Sequence, residues 1–166
     1  MIENKLFDTV NKLLEKYIGG QIFFTELDKA VKFDADLLED LIHAAKAKYG
    51  NVYTIASGEI ALSMHNLGIP IDFIVPGGLR TNPDKIYLDR FKDLIEHKQF
   101  VFIDDSYFSG RTAAIVKNTI KRLGGTFKGT YVIYDGSKVK DADVDSLYRY
   151  YDHFDILGQP LNCVQK

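Results

Sequence analysis

The sequence predicts an open α/β fold in which helices cover both faces of a mainly parallel sheet. Short apolar runs alternate along the chain with stretches whose apolar residues recur at helical spacing, and glycines follow several of these stretches. Because parallel strands need crossover connections, this alternation favours parallel pairing. The 166 residues, 46% hydrophobic and 27% charged, are enough for one globular domain with a substantial core.

Four short apolar runs predict the strands of this sheet. They are NVYTIA (51–56), IDFIV (71–75), QFVFI (99–103) and GTYVIY (129–134). Helical spacing occurs twice before the first strand, around Leu13 and around Leu41, and again after the first and third strands. Gly19 and Gly20 are expected to end the first of these helices, and the second is expected to end near Gly50. Residues 76–98 begin with a turn-forming half and continue at helical spacing, which predicts a loop followed by a crossover helix.

Composition excludes several classes of function. The net charge of −2 gives no general attraction to nucleic acid or to an anionic membrane surface. Cys163 is the single cysteine, so an internal disulfide and a multi-cysteine zinc site are excluded. No apolar run approaches the length of a membrane span, and the N-terminus does not resemble a signal peptide. We therefore expect a cytoplasmic protein that does not bind nucleic acid or membranes.

Two adjacent carboxylates end the third predicted strand, in the stretch FVFIDDSYFSGRT. Asp104 and Asp105 follow strand 99–103, and ligands of open α/β sheets bind beyond the carboxyl ends of the strands. The turn at 109–112 leads into a helix whose first N–H groups suit a phosphate. Carboxylates repel phosphate, so we expect them to face a ribose diol or a ligand-bound cation. The pattern predicts a ribose 5-phosphate site.

Acidic residues after a strand also occur in settings without a ribose phosphate. A solvated loop or a helix cap remains open on the motif alone. A phosphate-transferring aspartate of the dehalogenase type needs its two aspartates separated by one residue, whereas these are adjacent. A receiver domain carries its acidic pair near the N-terminus and needs a further aspartate after a later strand. A Walker loop and a G-x-G-x-x-G fingerprint are absent from the sequence.

The stretch FVFIDDSYFSGRT resembles the phosphoribosyl-diphosphate motif of type I phosphoribosyltransferases. Four apolar residues, two acidic residues, three variable residues and then Ser-Gly-x-Thr match the motif's spacing, with Tyr107 and Phe108 bulkier than is usual. VYTIASGEIALSMHNLGIPIDFIV resembles the layout of the orotate and xanthine enzymes, in which an ASG turn holds pyrophosphate. Glu59 stands where that turn usually has a glycine or an apolar residue.

The resemblance implies the organisation of the chain. It implies one domain over residues 1–166 with the type I phosphoribosyltransferase fold. Residues from about 1 to 50 would form N-terminal helices and a small hood, about 51–135 the core, and about 136–166 a C-terminal segment. Both terminal segments are candidates for the hood, and we expect the N-terminal one to form it. The resemblance also implies a homodimer.

The resemblance implies a transferase that uses phosphoribosyl diphosphate with Mg²⁺. The phosphoribosyl group would pass to a nucleobase or a related acceptor, with release of pyrophosphate. Asp104 and Asp105 would be catalytic, holding the ribose hydroxyls and stabilising developing positive charge, with no side chain bound directly to the metal. The residues implied for the 5′-phosphate are Ser106, Phe108, Ser109, Gly110, Arg111 and Thr112. Those implied for pyrophosphate are Ala56, Ser57 and Gly58, and a loop carrying Arg80 and Lys85 would close over the site.

Two alternatives to the transferase remain open. The family's second strand commonly runs into an Arg/Lys pair, whereas this chain reads FIVPGGLR, and this difference favours a non-catalytic regulatory protein that binds a nucleotide or phosphoribosyl diphosphate. The intact spacing of the Asp-Asp and Ser-Gly-x-Thr residues favours the enzyme. A hydrolase acting on a nucleotide is the third possibility. Orotate is not expected as the substrate, because VIYDGSK lacks the arginine that orotate enzymes place after the fourth strand.

Overall fold

The computed structural model describes residues 6, 8–10, 12, 20–31, 34–76, 88–155 and 161. These residues form a five-stranded sheet in the order β2-β1-β3-β4-β5, with every neighbouring pair parallel. The strands are β1 (Tyr53–Ser57), β2 (Phe73–Val75), β3 (Gln99–Tyr107), β4 (Thr126–Asp135) and β5 (Val144–Arg149). The predicted α/β class with a parallel sheet is confirmed.

Five continuous helices accompany the sheet in the described part of the chain, and residues 6, 8–10 and 12 are helical as well. The five are α1 (Gly20–Val31), α2 (Ala35–Tyr49), α3 (Gly58–Asn66), α4 (Lys92–Ile95) and α5 (Arg111–Arg122), with short 3₁₀ turns at Leu88–Phe91 and Tyr150–Asp152. None of the described helices is long and apolar enough to cross a membrane.

Alternating residues of β3 divide the core between the two faces of the sheet. Val101 and Ile103 pack in one buried cluster with side chains of α1, α2 and α3. Phe100 and Phe102 pack in a second cluster with side chains of α4 and α5. Successive strand side chains point to opposite faces, so helices cover both sides of the sheet, as the sequence predicted.

Helix α2 shows how local sequence sets an element's bounds. The Asp34 side chain caps the helix by accepting hydrogen bonds from the backbone N–H groups of Asp36 (3.1 Å) and Leu37 (3.2 Å). The helix ends at Gly50, whose φ of 73° favours glycine. The sequence predicted this stop, and the structure confirms it.

Two elements were not predicted. Strand β5 lies beyond the four predicted strands, at Val144–Arg149, and it adds an edge to the sheet beside β4. Helix α1 begins at Gly20, although Gly19 and Gly20 were interpreted as the end of an earlier helix. Its Leu27 and Val31 are fully buried, so packing against the core stabilises a helix that the glycines alone disfavour.

The strand order reverses beside β1. The chain passes from β1 outward to β2 and then returns to the other side of β1 to form β3. The carboxyl ends of β1 and β3 therefore border the crevice where open α/β sheets bind ligands. Ala56 pairs with Ile103, which brings Ser57 level with Asp104 at this edge of the sheet.

Candidate active site

A cavity of about 480 Å³ lies between the end of β3 and the N-terminus of α5. Its wall includes both members of the predicted acidic pair and every residue predicted for the 5′-phosphate: Asp104, Asp105, Ser106, Phe108, Ser109, Gly110, Arg111 and Thr112. It also includes residues that the sequence analysis did not select, among them Thr25, Asp28, Tyr107 and Tyr134. The structure therefore brings the two halves of the motif to one cavity, while the roles of these residues stay predictions.

The turn before α5 presents helix N–H groups to this cavity. Gly110 is the N-cap residue in the left-handed conformation (φ 76°, ψ 11°), and it has no side chain to cap the helix. The Arg111 N–H donates a long hydrogen bond to Ser109 Oγ (3.4 Å). The first turn of α5 contains no acidic residue. The helix dipole and the first-turn N–H groups therefore favour an anion here.

The Tyr107 side chain lies directly against Gly110. A Cβ atom at Gly110 would be 2.3 Å from Tyr107 Oη, so only glycine fits at this position. The Tyr107 hydroxyl donates to Asp141 Oδ2 (2.8 Å), and burial together with this contact raises the pKa of Tyr107. The N–H of Asp143 and the Tyr107 hydroxyl lower the pKa of Asp141. Tyr107 thus joins the turn before α5 to the connection between β4 and β5.

The acidic pair is held by short-range hydrogen bonds. The Asp105 N–H donates to Asp104 Oδ1 (2.9 Å), and Ser106 Oγ donates to Asp105 Oδ1 (3.4 Å). Burial raises the pKa of Asp104 to about 6. Burial, with a contribution from the Asp104 charge, raises the pKa of Asp105 to about 6 as well. A group that binds to these carboxyls and carries positive charge or hydroxyl donors would favour their ionised forms.

Helix α1 brings a third carboxyl group to the pair. Burial is the largest cause of the raised pKa of both carboxyls. Asp28 adds two smaller effects: its hydrogen bond to Asp105 lowers the pKa of Asp105, and its charge raises the pKa of Asp104. Burial raises the pKa of Tyr134, and the charges of the nearby Asp28 and Asp105 raise it further. The residues that the sequence analysis missed are therefore part of the acidic end of the cavity.

A weak signal for Asp28 is present in the sequence. In TELDKAV, Leu27 and Val31 are four residues apart and fully buried, and Asp28 adjoins this apolar stripe. An acidic residue at the border of a buried helix face lies close to whatever that face covers. This signal does not indicate that Asp28 lies at the carboxyl end of β3, because nothing local in the sequence connects α1 with β3.

The predicted pyrophosphate turn lies beside the cavity and not in its wall. Ala56 and Ser57 are buried at the end of β1, and Gly58 begins α3 with a φ of 66°. The Ser57 side chain makes no cap hydrogen bond, and Glu59 is an acid in the first turn of the helix. These residues lie level with the acidic pair in the sheet, but the described wall of the cavity does not include them.

The remaining predictions concern the loop and the metal. Arg80 and Lys85 lie outside the described residues. Within the described ranges, no three His, Cys, Asp or Glu side chains are arranged to hold a metal ion.

The chain shares its fold with crystal structures of phosphoribosyltransferases. A phosphoribosyltransferase from Corynebacterium diphtheriae superposes with a TM-score of 0.51 at 14% identity, over 75% of this chain and 81% of that chain. An orotate phosphoribosyltransferase from Mycobacterium tuberculosis gives 0.48 at 15% identity, over 69% and 72% of the two chains. A purine phosphoribosyltransferase from Pyrococcus horikoshii gives 0.46 at 20% identity, over 69% and 80%.

Sequence comparison adds nothing to this structural likeness. No protein-family model matches the chain, and no curated protein matches it. The resemblance to type I phosphoribosyltransferases is thus confirmed at the level of the fold, and fold alone does not establish an activity.

Proposed function

We propose that the protein binds phosphoribosyl diphosphate and transfers its phosphoribosyl group to a nitrogen acceptor. One observation carries this proposal: a half-buried acidic pair and an acid-free helix N-terminus line the same cavity. This cavity lies where the strand order of the sheet reverses. A ligand with hydroxyl groups at one end and a phosphate at the other complements such a cavity, and ribose 5-phosphate is a ligand of this kind.

Each end of the cavity has a defined role in the proposed complex. The turn at 109–112 binds the 5′-phosphate through backbone N–H groups and hydroxyls. Asp104 and Asp105 accept hydrogen bonds from the ribose hydroxyls. The two ends together fix the orientation of the ribose, so that its C1 atom faces an acceptor in the remaining space.

The proposed reaction is a displacement at the ribose C1 atom. The lone pair of the acceptor nitrogen forms the new bond, the bond from C1 to the pyrophosphate oxygen breaks with its electron pair, and the acceptor's proton passes to water. Positive charge develops on the ribose in the transition state. The ionised forms of Asp104 and Asp105 stabilise that charge.

The residues of the site fit a metal that arrives with the ligand. The carboxyl groups suit contact with the diol, and no described cluster suits direct coordination by three protein ligands. Mg²⁺ arriving with the ligand would be accommodated beside Asp104 and Asp105, whose carboxylate oxygens suit it. When bound, it supplies positive charge that stabilises the leaving pyrophosphate. The turn at Ser57 and Gly58, one strand away, is the proposed contact for that pyrophosphate.

The proposal is tested by two measurements on the whole chain. Calorimetry should detect binding of ribose 5-phosphate and Mg²⁺-dependent binding of phosphoribosyl diphosphate. Pyrophosphate release should be measured with phosphoribosyl diphosphate, Mg²⁺ and a panel of nucleobases, and at least one base should give turnover. Absence of binding by every phosphoribosyl ligand would overturn the proposal.

A double variant separates binding from catalysis. Asp104→Asn with Asp105→Asn retains hydrogen-bonding oxygens but removes the negative charge that the transition state needs. Ribose 5-phosphate affinity should fall modestly, while turnover should fall by about two orders of magnitude or more. The matched control, Asp36→Asn with Glu39→Gln, changes charge equally on α2, away from the cavity wall, and should leave turnover unchanged.

A non-catalytic binding protein is the second candidate, and one observation favours it. The Tyr107 ring lies against Gly110 and narrows the phosphate turn. A protein of this kind would bind phosphoribosyl ligands without releasing pyrophosphate from any base in the panel. The Asp104 and Asp105 double variant would then change affinity alone.

A further inference from the structure

We propose that Asp28 selects the acceptor: the site takes a planar nitrogen heterocycle that presents N–H donors and rejects one that carries a carboxylate. This inference rests on the proposed function, because it concerns the acceptor end of the same cavity. It names the chemical class of the acceptor, which the motif and the fold leave open.

The position of Asp28 supports this selection. The residue lies on α1, the helix that contributes Thr25 and Asp28 to the cavity wall. It contacts Asp105 and interacts electrostatically with Asp104 and Tyr134. Asp28 thus lies at the carboxyl end of the cavity, beside the groups proposed to hold the ribose diol.

The described wall of the cavity contains more acidic than basic residues. Among the described residues of the wall, three are acidic and one, Arg111, is basic. Arg111 is the first residue of α5, at the proposed phosphate end. A carboxylate buried beside Asp28 would meet like charge, and the one basic residue of the described wall lies at the other end, so the cost exceeds what one hydrogen bond offsets. A ring N–H or amino group would instead find the carboxyl oxygens and the hydroxyls of Thr25 and Tyr134 as acceptors.

An aromatic side chain, Phe108, also lines the cavity. The Phe108 ring is 43% exposed and forms part of the cavity wall. It meets the Tyr134 ring edge to face, with centroids 6.0 Å apart. An exposed ring face beside hydrogen-bond acceptors favours a planar heterocycle over an aliphatic amine, because only the former stacks.

Product nucleotides test this selection without turnover. Uridine 5′-monophosphate and orotidine 5′-monophosphate share ribose, phosphate and ring, and they differ by one carboxylate. Calorimetry with the whole chain should show orotidine 5′-monophosphate binding about tenfold more weakly or worse. Adenosine 5′-monophosphate should bind more tightly than inosine 5′-monophosphate, because its amino group donates where inosine has a carbonyl.

Two variants identify the residue responsible. Asp28→Asn removes the charge and should bring the affinities for the uridine and orotidine nucleotides closer together. Glu26→Gln on the same helix removes an equal charge from a residue paired with Lys29 (3.3 Å) and absent from the cavity wall, so it should leave the ratio unchanged. Thermal unfolding of each variant verifies that it folds, and the wild-type ratio tests the inference independently of both variants.

The outcomes separate this inference from the proposed function. Equal or tighter binding of orotidine 5′-monophosphate by the wild type would overturn the acceptor inference while supporting a phosphoribosyl site. A ratio that Asp28→Asn leaves unchanged would assign the selection to another residue and would also overturn it. Failure of ribose 5-phosphate and all four nucleotides to bind would overturn the proposed function itself.

Discussion

Two helices begin at the carboxyl edge of the sheet with the same local signal, and their surroundings differ. Helix α5 follows Ser109 and Gly110, and helix α3 follows Ser57 and begins at Gly58. Both glycines have positive φ, 76° and 66°. The first turn of α5 lacks an acid and borders the cavity, whereas that of α3 contains Glu59 and lies outside the described cavity wall.

The comparison shows that a Ser-Gly turn at a helix start does not by itself make an anion site. Unpaired N–H groups and the helix dipole are properties of every helix N-terminus. What distinguishes α5 is the open space in front of it and the absence of a competing carboxylate in its first turn. We therefore expect the turn before α5 to bind phosphate more strongly than the turn before α3.

The largest effect should come from the glycine of the α5 turn. Gly110→Ala places a methyl group 2.3 Å from Tyr107 Oη at a φ of 76°. The left-handed conformation should cost about 1 kcal/mol and overpacking about 1 to 3 kcal/mol, and the unfolding free energy should fall by the sum of the two. Because the turn is distorted, the affinity for ribose 5-phosphate should fall as well. Urea unfolding and calorimetry measure the two losses.

Gly68→Ala is the matched control for this substitution. Gly68 follows the end of α3, where its N–H donates to the His65 carbonyl and the Ile69 N–H donates to the Met64 carbonyl, the pattern of a left-handed cap. It has a φ of 73° with no atom within 4 Å of an added Cβ, so only the left-handed strain remains. The difference in unfolding free energy between the two variants isolates the contact with Tyr107. Equal losses would contradict that contact.

The second large effect should be a pH dependence of the unfolding free energy that comes from the acidic pair beside α5. The pKa values of Asp104 and Asp105 are raised from 3.8 to about 6, so the folded state binds more protons than the unfolded state between these values. The unfolding free energy should therefore fall as the pH rises from about 4 through about 6. Asp104→Asn with Asp105→Asn should be more stable than the wild type near pH 7, by up to about 3 kcal/mol for each carboxyl, and indistinguishable from it well below about pH 4.

Urea titrations at several pH values measure this dependence, and Glu59→Gln at the α3 turn should not alter it. A wild-type stability that rises between about pH 4 and about pH 6, with loss of that rise in the double variant, would show that the pair is better stabilised in its ionised form than burial indicates.

A smaller effect should show that the two ends of phosphoribosyl diphosphate bind at different turns. Thr112→Ala removes a hydroxyl from the cavity wall, and ribose 5-phosphate should bind about tenfold more weakly, the cost of roughly 1.5 kcal/mol for a hydrogen bond to a charged group. Ser57→Ala should leave ribose 5-phosphate binding unchanged and weaken only phosphoribosyl diphosphate. If Ser57→Ala weakens both ligands equally, the two turns do not bind separate ends.

The smallest effect concerns the acid of the α3 turn. Glu59→Gln removes a negative charge beside that helix N-terminus, so phosphoribosyl diphosphate and pyrophosphate should bind more tightly by about 0.3 to 1 kcal/mol at low salt. High salt should remove most of the gain, because Glu59 is exposed to solvent. A gain for ribose 5-phosphate of the same size would indicate a general charge effect and not a local one.

The part of the site that the sequence predicted is the part that is contiguous in the chain. Asp104 to Thr112 fall within one strand-turn-helix unit, so spacing alone brings the carboxyls and the helix N-terminus together. Asp28 joins them only because α1 packs on the sheet through Leu27 and Val31, a long-range contact that local periodicity does not contain.

The same distinction explains the fold. The predicted strands are largely apolar runs, whereas β5 lies at the edge of the sheet and its sequence, VDSLYR, mixes polar and aromatic residues. An edge strand need not be continuously apolar, so this pattern was not distinguishable from a packed loop.

The contact between Tyr107 and Gly110 makes these two positions interdependent in evolution. While a tyrosine occupies the first position, every side chain at the second collides with its hydroxyl group. A lineage can therefore replace the glycine only after the tyrosine has become smaller, and restoring the tyrosine is then blocked. Among relatives of this chain, the two positions should change as a pair and in that order, and the Asp141 carboxylate would then keep the hydrogen bond that it accepts from the Asp143 N–H.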